Sequence, residues 1–194
     1  MPFLDEDKML SMLRRLRVQT ALVVGRGSAM TGLLLARHGI PSVLVMERDE
    51  YCAVSGARVA AQESLYGVTF SDGYVGSLRL RGPYDCVIVP EEFSIVSDPA
   101  ASIRDYHDWL RDGGLLLFTV YSTGGSISES SSENYEVPYP YHHYDRDGAA
   151  GLVKGWSNVD IQQHGWFHLG HQECLPQPQW HESWMVSAFK PGSE

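Results

Sequence analysis

The chain has few cysteines and no long apolar run. Its 194 residues include three cysteines, Cys52, Cys86 and Cys174, which are too scattered for a disulfide framework and whose odd number leaves one unpaired. No stretch approaches the roughly 18 consecutive apolar residues that a membrane span requires, and residues 1–8 lack the apolar core of a signal peptide. We therefore predict a reducing, cytoplasmic environment and no membrane partner.

Basic residues are also scarce. The chain has 15 Lys and Arg against 24 Asp and Glu, a formal net charge of −9, which repels a phosphate backbone unless the basic residues gather on one face. Their densest cluster, Arg14, Arg15 and Arg17, ends the first predicted helix, where cations complement the carbonyl end of the helix dipole. We therefore expect no nucleic-acid partner.

Apolar patterning divides the chain into alternating helices and strands. Apolar residues at helical spacing predict a first helix over 5–17, within an N-terminal segment 1–19. Buried strands are predicted at 20–24, 42–46, 85–89 and 115–120, and helices between them at 30–38, 51–65 and 98–114. A brief strand at 68–70, a short helix at 147–154 and final strands at 159–167 and 182–189 follow. The alternation is typical of an α/β, doubly wound, mostly parallel sheet with helices on both faces, in a single domain over 1–194.

The helix predicted over 98–114 has clear start and stop signals in its sequence. Asp98 is a side-chain cap, Pro99 suits the first helical position, and the paired glycines Gly113 and Gly114 predict the end. Its inward face is predicted to carry Ala100, Ile103, Tyr106 and Leu110.

A long segment over 121–146 shows no helical or strand period. Ser122–Glu133 holds six serines and almost nothing to bury, and Tyr135–Tyr144 is rich in Tyr, Pro and His. We predict that this segment is a loop that covers a substrate site, with an irregular aromatic part lying against the body of the domain. The aromatic side chains would suit a flat or hydrophobic small molecule.

A glycine-rich turn joins the first predicted strand to the next helix. The sequence Gly25-Arg-Gly-Ser-Ala-Met-Thr-Gly32 would present backbone N–H groups and the positive end of a helix dipole to a ligand. The dinucleotide fingerprint needs a third glycine where this chain has Met30. The turn therefore lacks the pyrophosphate-binding form of this motif. A tight turn that packs the helix closely and binds nothing is the alternative.

An acid follows the second predicted strand. Glu47 lies 20 residues beyond Gly27 and comes directly after an apolar run, which is where ribose hydroxyls are bound in folds of this kind. The alternative is a solvated acid at a strand end.

These features resemble class I S-adenosylmethionine-dependent methyltransferases. The resemblance rests on Leu-Val-Val-Gly-Arg-Gly-Ser at 22–28, on Glu47, on 84–89, on Trp-Leu-Arg-Asp-Gly-Gly-Leu-Leu-Leu-Phe at 109–118, and on 184–191, which is similar to the family's final antiparallel strand. It implies a seven-stranded sheet with one antiparallel edge strand and S-adenosylmethionine across the carboxyl ends of the first strands.

The resemblance also implies a role for individual residues. Gly25 and Gly27 would contact the methionine part of the cofactor, Glu47 the ribose, and Asp72 or Gly73 the adenine. Pro90, Glu91 and Glu92 would line the methyl-transfer side. This chain departs from the family pattern in having Val23 where an acid is frequent, Ala29 where a third glycine is frequent, and Arg26 between the glycines.

The predicted function is methyl transfer to an oxygen or nitrogen of a small-molecule acceptor. Positioning carries much of such a displacement, and a nearby base helps with a neutral acceptor. His142 and His143 are the first candidates, followed by Glu91 and Glu92, because imidazole titrates near neutral pH. The alternatives are an inactive, methyltransferase-like scaffold protein and an NAD-dependent oxidoreductase, which Met30 opposes.

Polar, metal-ligating side chains gather near the end of the chain. They are His164, His168, His171, Cys174 and His181. Their spacing matches no familiar zinc pattern, so we predict no metal site. With Trp156, Trp166 and Trp180 nearby, this edge would instead suit contact between two copies in a homodimer.

Overall fold

The computed structural model describes residues 4–71, 82–90, 93, 96–124, 142–168 and 179–192, with backbone alone at 166–168 and 179–181. Its five helices are α1 (Glu6–Leu16), α2 (Ser28–Arg37), α3 (Glu50–Gln62), α4 (Pro99–Trp109) and α5 (Arg146–Leu152). Its eight strands are β1 (Thr20–Val24), β2 (Ser42–Met46), β3 (Val68–Ser71), β4 (Tyr84–Val89), β5 (Leu110–Ser122), β6 (His143–Tyr144), β7 (Ser157–His168) and β8 (Gln179–Phe189). No helix in these ranges has the length and hydrophobicity to cross a membrane.

All eight strands belong to one sheet. Seven follow the order β3-β2-β1-β4-β5-β8-β7, and the two-residue β6 lies beside β5. Strands β1 to β6 pair in parallel, whereas β8 runs antiparallel to both β5 and β7. The predicted doubly wound, mostly parallel sheet is confirmed. The reversed strand, however, lies one place in from the edge, because β7 pairs along its outer side.

The first helix shows why its predicted bounds hold. The side chain of Asp5 accepts a hydrogen bond from the backbone N–H of Lys8 at 3.0 Å, which satisfies one of the free N–H groups at a helix start. At the other end Arg17 takes the left-handed conformation, with φ of 53°, and its N–H bonds back to Arg14. Local capping therefore sets both ends of α1.

The sheet has a hydrophobic core on each face. On one face, Met9 and Leu13 of α1 pack with Val23, Val45 and Ile88 of the strands. A Cβ added at Gly56 of α3 would lie 2.5 Å from Cε1 of Phe70, which packs on this same cluster. Helices α1, α2 and α3 thus cover this side, which we call the α1 face.

The opposite face is covered by the helices from the second half of the chain. Tyr106 of α4 and Ala149 of α5 pack there with Leu22, Val87 and Phe118. Helices therefore lie on both faces, as predicted from the alternation of strands and helices.

Helix α4 ends earlier than predicted. It stops at Trp109, and Leu110 is already extended and pairs with Tyr84 of β4. Gly113 has a φ of 69° and donates its N–H to the Lys190 carbonyl at 3.1 Å. The glycine pair therefore forms an irregularity inside β5, because pairing with the end of the chain replaces another helical turn.

The inward face predicted for α4 is correct except at its start. Ile103 and Tyr106 are buried in α4, Leu110 is buried as the first residue of β5, and Ala100 is exposed. Ala100 lies in the first turn of the helix, next to the capping residue Asp98.

The segment predicted as a loop over 121–146 is described only at its two ends. Its first residues complete β5, and His143 and Tyr144 form β6 where we predicted irregular backbone. The remainder, 125–141, lies outside the described residues.

Candidate functional site

The glycine turn follows β1 and opens α2. Gly25 has a φ of 111° and Gly27 a φ of 78°, a region that glycine adopts without the steric cost of a side chain. Gly27 caps α2 without a side-chain hydrogen bond, and a Cβ added there would meet no atom within 4 Å. The turn therefore faces open space with the N–H groups of a helix start beside it, which is the geometry of an anion site.

The last glycine of the motif serves packing. A Cβ on Gly32 would lie 2.2 Å from Cγ2 of the fully buried Val45, closer than any real contact. Gly32 thus lets α2 approach β2 at short range. Close helix packing, the alternative interpretation of the turn, explains this glycine but not Gly25 or Gly27, where backbone conformation requires the residue.

Glu47 lies at the carboxyl end of β2, directly beside this turn. It is 0% exposed, which excludes the alternative of a solvated strand-end acid. Its Oε2 accepts hydrogen bonds from the Ala29 N–H at 3.1 Å and the Ser28 hydroxyl at 3.3 Å, and Oε1 accepts one from the Asp49 N–H at 3.3 Å. The positive end of the α2 dipole stabilises a carboxylate in this position. The same carboxylate joins the starts of α2 and α3 through its hydrogen bonds.

Ser28 is a partner of Glu47 that the sequence motif did not reveal. Its fully buried hydroxyl lies 3.2 Å from the Met46 carbonyl and 3.3 Å from Oε2 of Glu47. A hydroxyl has one proton to donate, so it bonds one acceptor at a time. A small hydroxylated residue at the first helical position, opposite a strand-end acid, is the signal that would have identified it.

Cys52, in the first turn of α3, is not an activated nucleophile. Burial, followed by the nearby charges of Asp49 and Glu47, raises the pKa of its thiol, and the positive charge of Arg26 opposes the shift. A thiol with a raised pKa is mostly protonated at neutral pH. The chemistry of this part of the site therefore depends on carboxylates and backbone N–H groups.

The site continues along the carboxyl edge to β4 and β5. Extending the parallel register by two residues between β1 and β4, and by one residue between β4 and β5, aligns Gly25, Pro90 and Thr119. Pro90 is buried at the end of β4. Glu91 and Glu92, and Asp72 and Gly73 after β3, lie outside the described residues, so their roles stay predictions.

Both candidate histidine bases lie near this edge and are half-buried. Because β8 pairs with β5 as far as Tyr121, the short β6 takes the other side of β5, in line with β4. The His143 ring lies 6.0 Å from the Tyr121 ring, tilted by 30°. His142 places Nε2 at 3.0 Å from the Val96 carbonyl, which ties it to the segment after β4.

The predicted absence of metal at the histidine and cysteine cluster stays a prediction. Within the described ranges no group of three or more His, Cys, Asp or Glu is arranged to hold a metal ion. Of the cluster, His164 is described with its side chain on β7, whereas His171 and Cys174 and the side chains of His168 and His181 lie outside those ranges.

No protein-family model and no curated protein sequence matches the chain. Its structure is similar to TehB from Haemophilus influenzae, with a TM-score of 0.73 and 12% identity over 95% of this chain and 62% of that one. It is similar to an S-adenosylmethionine-dependent O-methyltransferase from Thermotoga maritima, with a TM-score of 0.63 and 14% identity over 98% of this chain and 66% of that one. It is also similar to coclaurine N-methyltransferase bound to N-methylheliamine and S-adenosylhomocysteine, with a TM-score of 0.64 and 14% identity over 94% and 72%.

At these identities the likeness shows the fold. The chain has the Rossmann-like fold of class I S-adenosylmethionine-dependent methyltransferases, as the resemblance of its motifs implied. It spans less than two thirds of the TehB chain.

Proposed function

We propose that this chain binds S-adenosylmethionine and transfers the methyl group to a small-molecule acceptor. The observation that carries the proposal is the pairing of the left-handed Gly25 and Gly27 with the buried Glu47. They meet at the carboxyl end of β1, from which the sheet continues to β2 on one side and β4 on the other. Open α/β sheets bind ligands in the crevice at such a switch point.

The described residues fit the proposed cofactor in two ways. The turn at Gly25 and Gly27 would contact the methionine part of the cofactor, since the first N–H groups of α2 are already bonded, that of Ser28 to the Gly25 carbonyl and that of Ala29 to Glu47. Glu47 would bind the ribose through Oε1, because Oε2 accepts from both Ser28 and Ala29, whereas the described residues give Oε1 one hydrogen bond, from the Asp49 N–H. Since Glu47 is fully buried, ribose binding requires the neighbouring turn at Gly25 and Gly27 to shift. For the adenine we propose Asp72 or Gly73.

The acceptor would lie toward β4 and β5, beside Pro90 and the two histidines. A carbonyl only accepts, so Nε2 of His142 carries the proton that bonds the Val96 carbonyl. The Nδ1 of the neutral ring then keeps the lone pair that a general base uses. His143 and Glu91 are the other proposed bases. We further propose that the segment 121–146 covers the acceptor.

The proposed acceptor is a small molecule because the net charge of −9 opposes a nucleic acid. A cytoplasmic location stays a prediction. So does a homodimer formed through the edge near Trp156, Trp166 and Trp180.

Calorimetric titration tests the cofactor. We expect micromolar binding of S-adenosylmethionine and S-adenosylhomocysteine, no binding of NAD, and about a 10- to 100-fold loss of affinity in Glu47→Gln, because hydrogen bonds to a charged carboxylate are stronger than those to an amide. Glu63→Gln is the matched control, since Glu63 bonds Arg37 on the surface, away from the turn. Thermal unfolding of each variant shows whether the fold is intact.

Two other outcomes lead to different functions. An intact protein that binds neither sulfur nucleoside is a scaffold or binding protein. Two observations favour that second candidate: donors of the protein already bond both carboxylate oxygens of Glu47, and a fully buried Val23 stands where the family frequently has an acid. Binding of NAD alone would instead identify an oxidoreductase.

A further inference from the structure

Four polar side chains form a row across four neighbouring strands. The register pairs His143 of β6 with Tyr121 of β5, Tyr121 with Ser183 of β8, and Ser183 with His164 of β7. Residues in register share a face of the sheet and lie side by side. We call this set the polar row.

The polar row lies on the α1 face. Ser183 precedes Met185 by two residues on β8, and Met185 packs with Met9 and Leu13 of α1. In β5, Leu115 and Leu117 belong to the same cluster, so Tyr121 points the same way by alternation. The row therefore continues the apolar α1 face toward the carboxyl edge and replaces its apolar side chains with hydrogen-bonding ones.

Ser183 is distinguished by an unsatisfied hydroxyl. It is 2% exposed, and its Oγ is the one buried side-chain nitrogen or oxygen atom without a hydrogen-bond partner in the described part of the chain. Buried polar groups are nearly always bonded, and an unbonded one costs stability. The Ser183 hydroxyl can therefore form a hydrogen bond with a group outside the described residues.

The polar row is close to the proposed cofactor turn. Gly25, Pro90 and Thr119 are aligned across β1, β4 and β5, and Tyr121 lies two residues further along β5. Two strand spacings and two residues place the Cα atoms of Gly25 and Tyr121 about 12 Å apart. The methionine part of the cofactor and an acceptor would fill this gap between them.

We propose that the polar row is the acceptor subsite and that the acceptor is a neutral molecule with a phenolic hydroxyl, an inference that rests on the proposed methyl transfer. The row contains no carboxylate, Lys or Arg, so it suits an uncharged polar group. The Tyr121 and His143 rings, tilted by 30°, suit a flat ring.

At the acceptor, the methyl transfer uses two side chains of the polar row, those of Ser183 and His143. Ser183 Oγ hydrogen-bonds the phenolic oxygen, and His143 takes the phenolic proton as that oxygen forms its bond to the methyl carbon. The bond from that carbon to sulfur breaks, and its electron pair stays on sulfur. Ser183 therefore orients the acceptor, and His143 is its base.

Ser183→Ala tests the subsite, with Ser187→Ala as the matched control. Ser187 is a buried serine on the same strand and face, further from the carboxyl edge. The probe is 4-nitrophenol in its neutral form, at a pH below its own pKa, titrated by its absorption in the presence of S-adenosylhomocysteine. We expect saturable binding that Ser183→Ala weakens about tenfold and Ser187→Ala leaves unchanged. We also expect Ser183→Ala to raise the Tm by about 2–4 °C, because an unbonded buried hydroxyl is removed.

The two proposals fail in different ways. If S-adenosylhomocysteine does not bind, the proposed function fails. If it binds but 4-nitrophenol shows no saturable binding, or Ser183→Ala binds it as well as the wild type, the subsite is overturned. A Tm lowered by Ser183→Ala would also overturn it, because the hydroxyl would then have a structural partner such as an enclosed water.

Discussion

Gly32→Ala is expected to lower the free energy of unfolding by about 3 kcal/mol, as overpacking of a filled core does. The added Cβ would lie 2.2 Å from Cγ2 of Val45. Val45 is fully buried in β2, which lies between β3 and β1, so the clash moves either the strand or the helix that carries the glycine turn. Urea unfolding followed by circular dichroism measures the loss.

Two comparisons isolate the clash as the cause. Gly151→Ala in α5 adds the same methyl group where no atom lies within 4 Å, and it should stabilise the protein by about 0.5–1 kcal/mol. Val45→Ala removes the group that the new Cβ would meet. If Gly32→Ala costs as much in the Val45→Ala background as in the wild type, close packing is not the reason for the glycine.

Asp85→Ala is expected to cost about 2–4 kcal/mol of stability. Its Oδ2 accepts the N–H groups of Gln19 at 2.8 Å and Thr20 at 2.9 Å, and its Oδ1 accepts Nε of Arg111 at 2.5 Å. One carboxylate thus joins the start of β1 to β4 and β5. Removing it leaves two backbone donors unpaired at the amino edge of the sheet. Asp108→Ala, at an exposed residue of α4, is the control and should change stability little.

The contribution of Asp85 should depend on pH. Burial acts to raise its pKa, but hydrogen bonds from Gln19, Arg111 and Thr20 outweigh burial and hold the pKa below its ordinary value. A carboxyl with a lowered folded-state pKa stabilises the fold above its unfolded pKa, and that contribution is lost as the pH falls toward the folded value. The difference in stability between wild type and Asp85→Ala should be complete at pH 7 and shrink below about pH 4. A difference that is constant between pH 7 and pH 3 would contradict this role.

Local patterns were sufficient to predict most of the elements. Strands β1 and β2 have the bounds that their apolar runs predicted, because strands buried on both faces carry no polar interruption. Helix α1 was predictable from its apolar spacing and from the arginines at its end. The end of α4 was not, since Gly113 bonds Lys190, which is distant in sequence, and such pairing leaves no local signal.

The candidate site divides in the same way. The glycine turn and Glu47 were identifiable because strand, turn, helix and acid follow one another at fixed spacing. The engagement of Glu47 by Ser28 and Ala29 depends on side-chain geometry that spacing does not encode. Ser183 was missed altogether. Its neighbours Tyr121 and His164 come from other strands, and the register between strands cannot be deduced from the period of either one.

The inner position of the reversed strand matters during synthesis. β8 follows both β5 and β7 along the chain, yet it fills the place between them. As the polypeptide emerges from the ribosome, β7 is complete before it has a neighbour, and the outer side of β5 from Leu115 to Tyr121 stays open. Open strand edges invite pairing with other chains. We therefore expect the nascent protein to be most prone to pairing with other chains in the interval before translation delivers the strand that closes the gap.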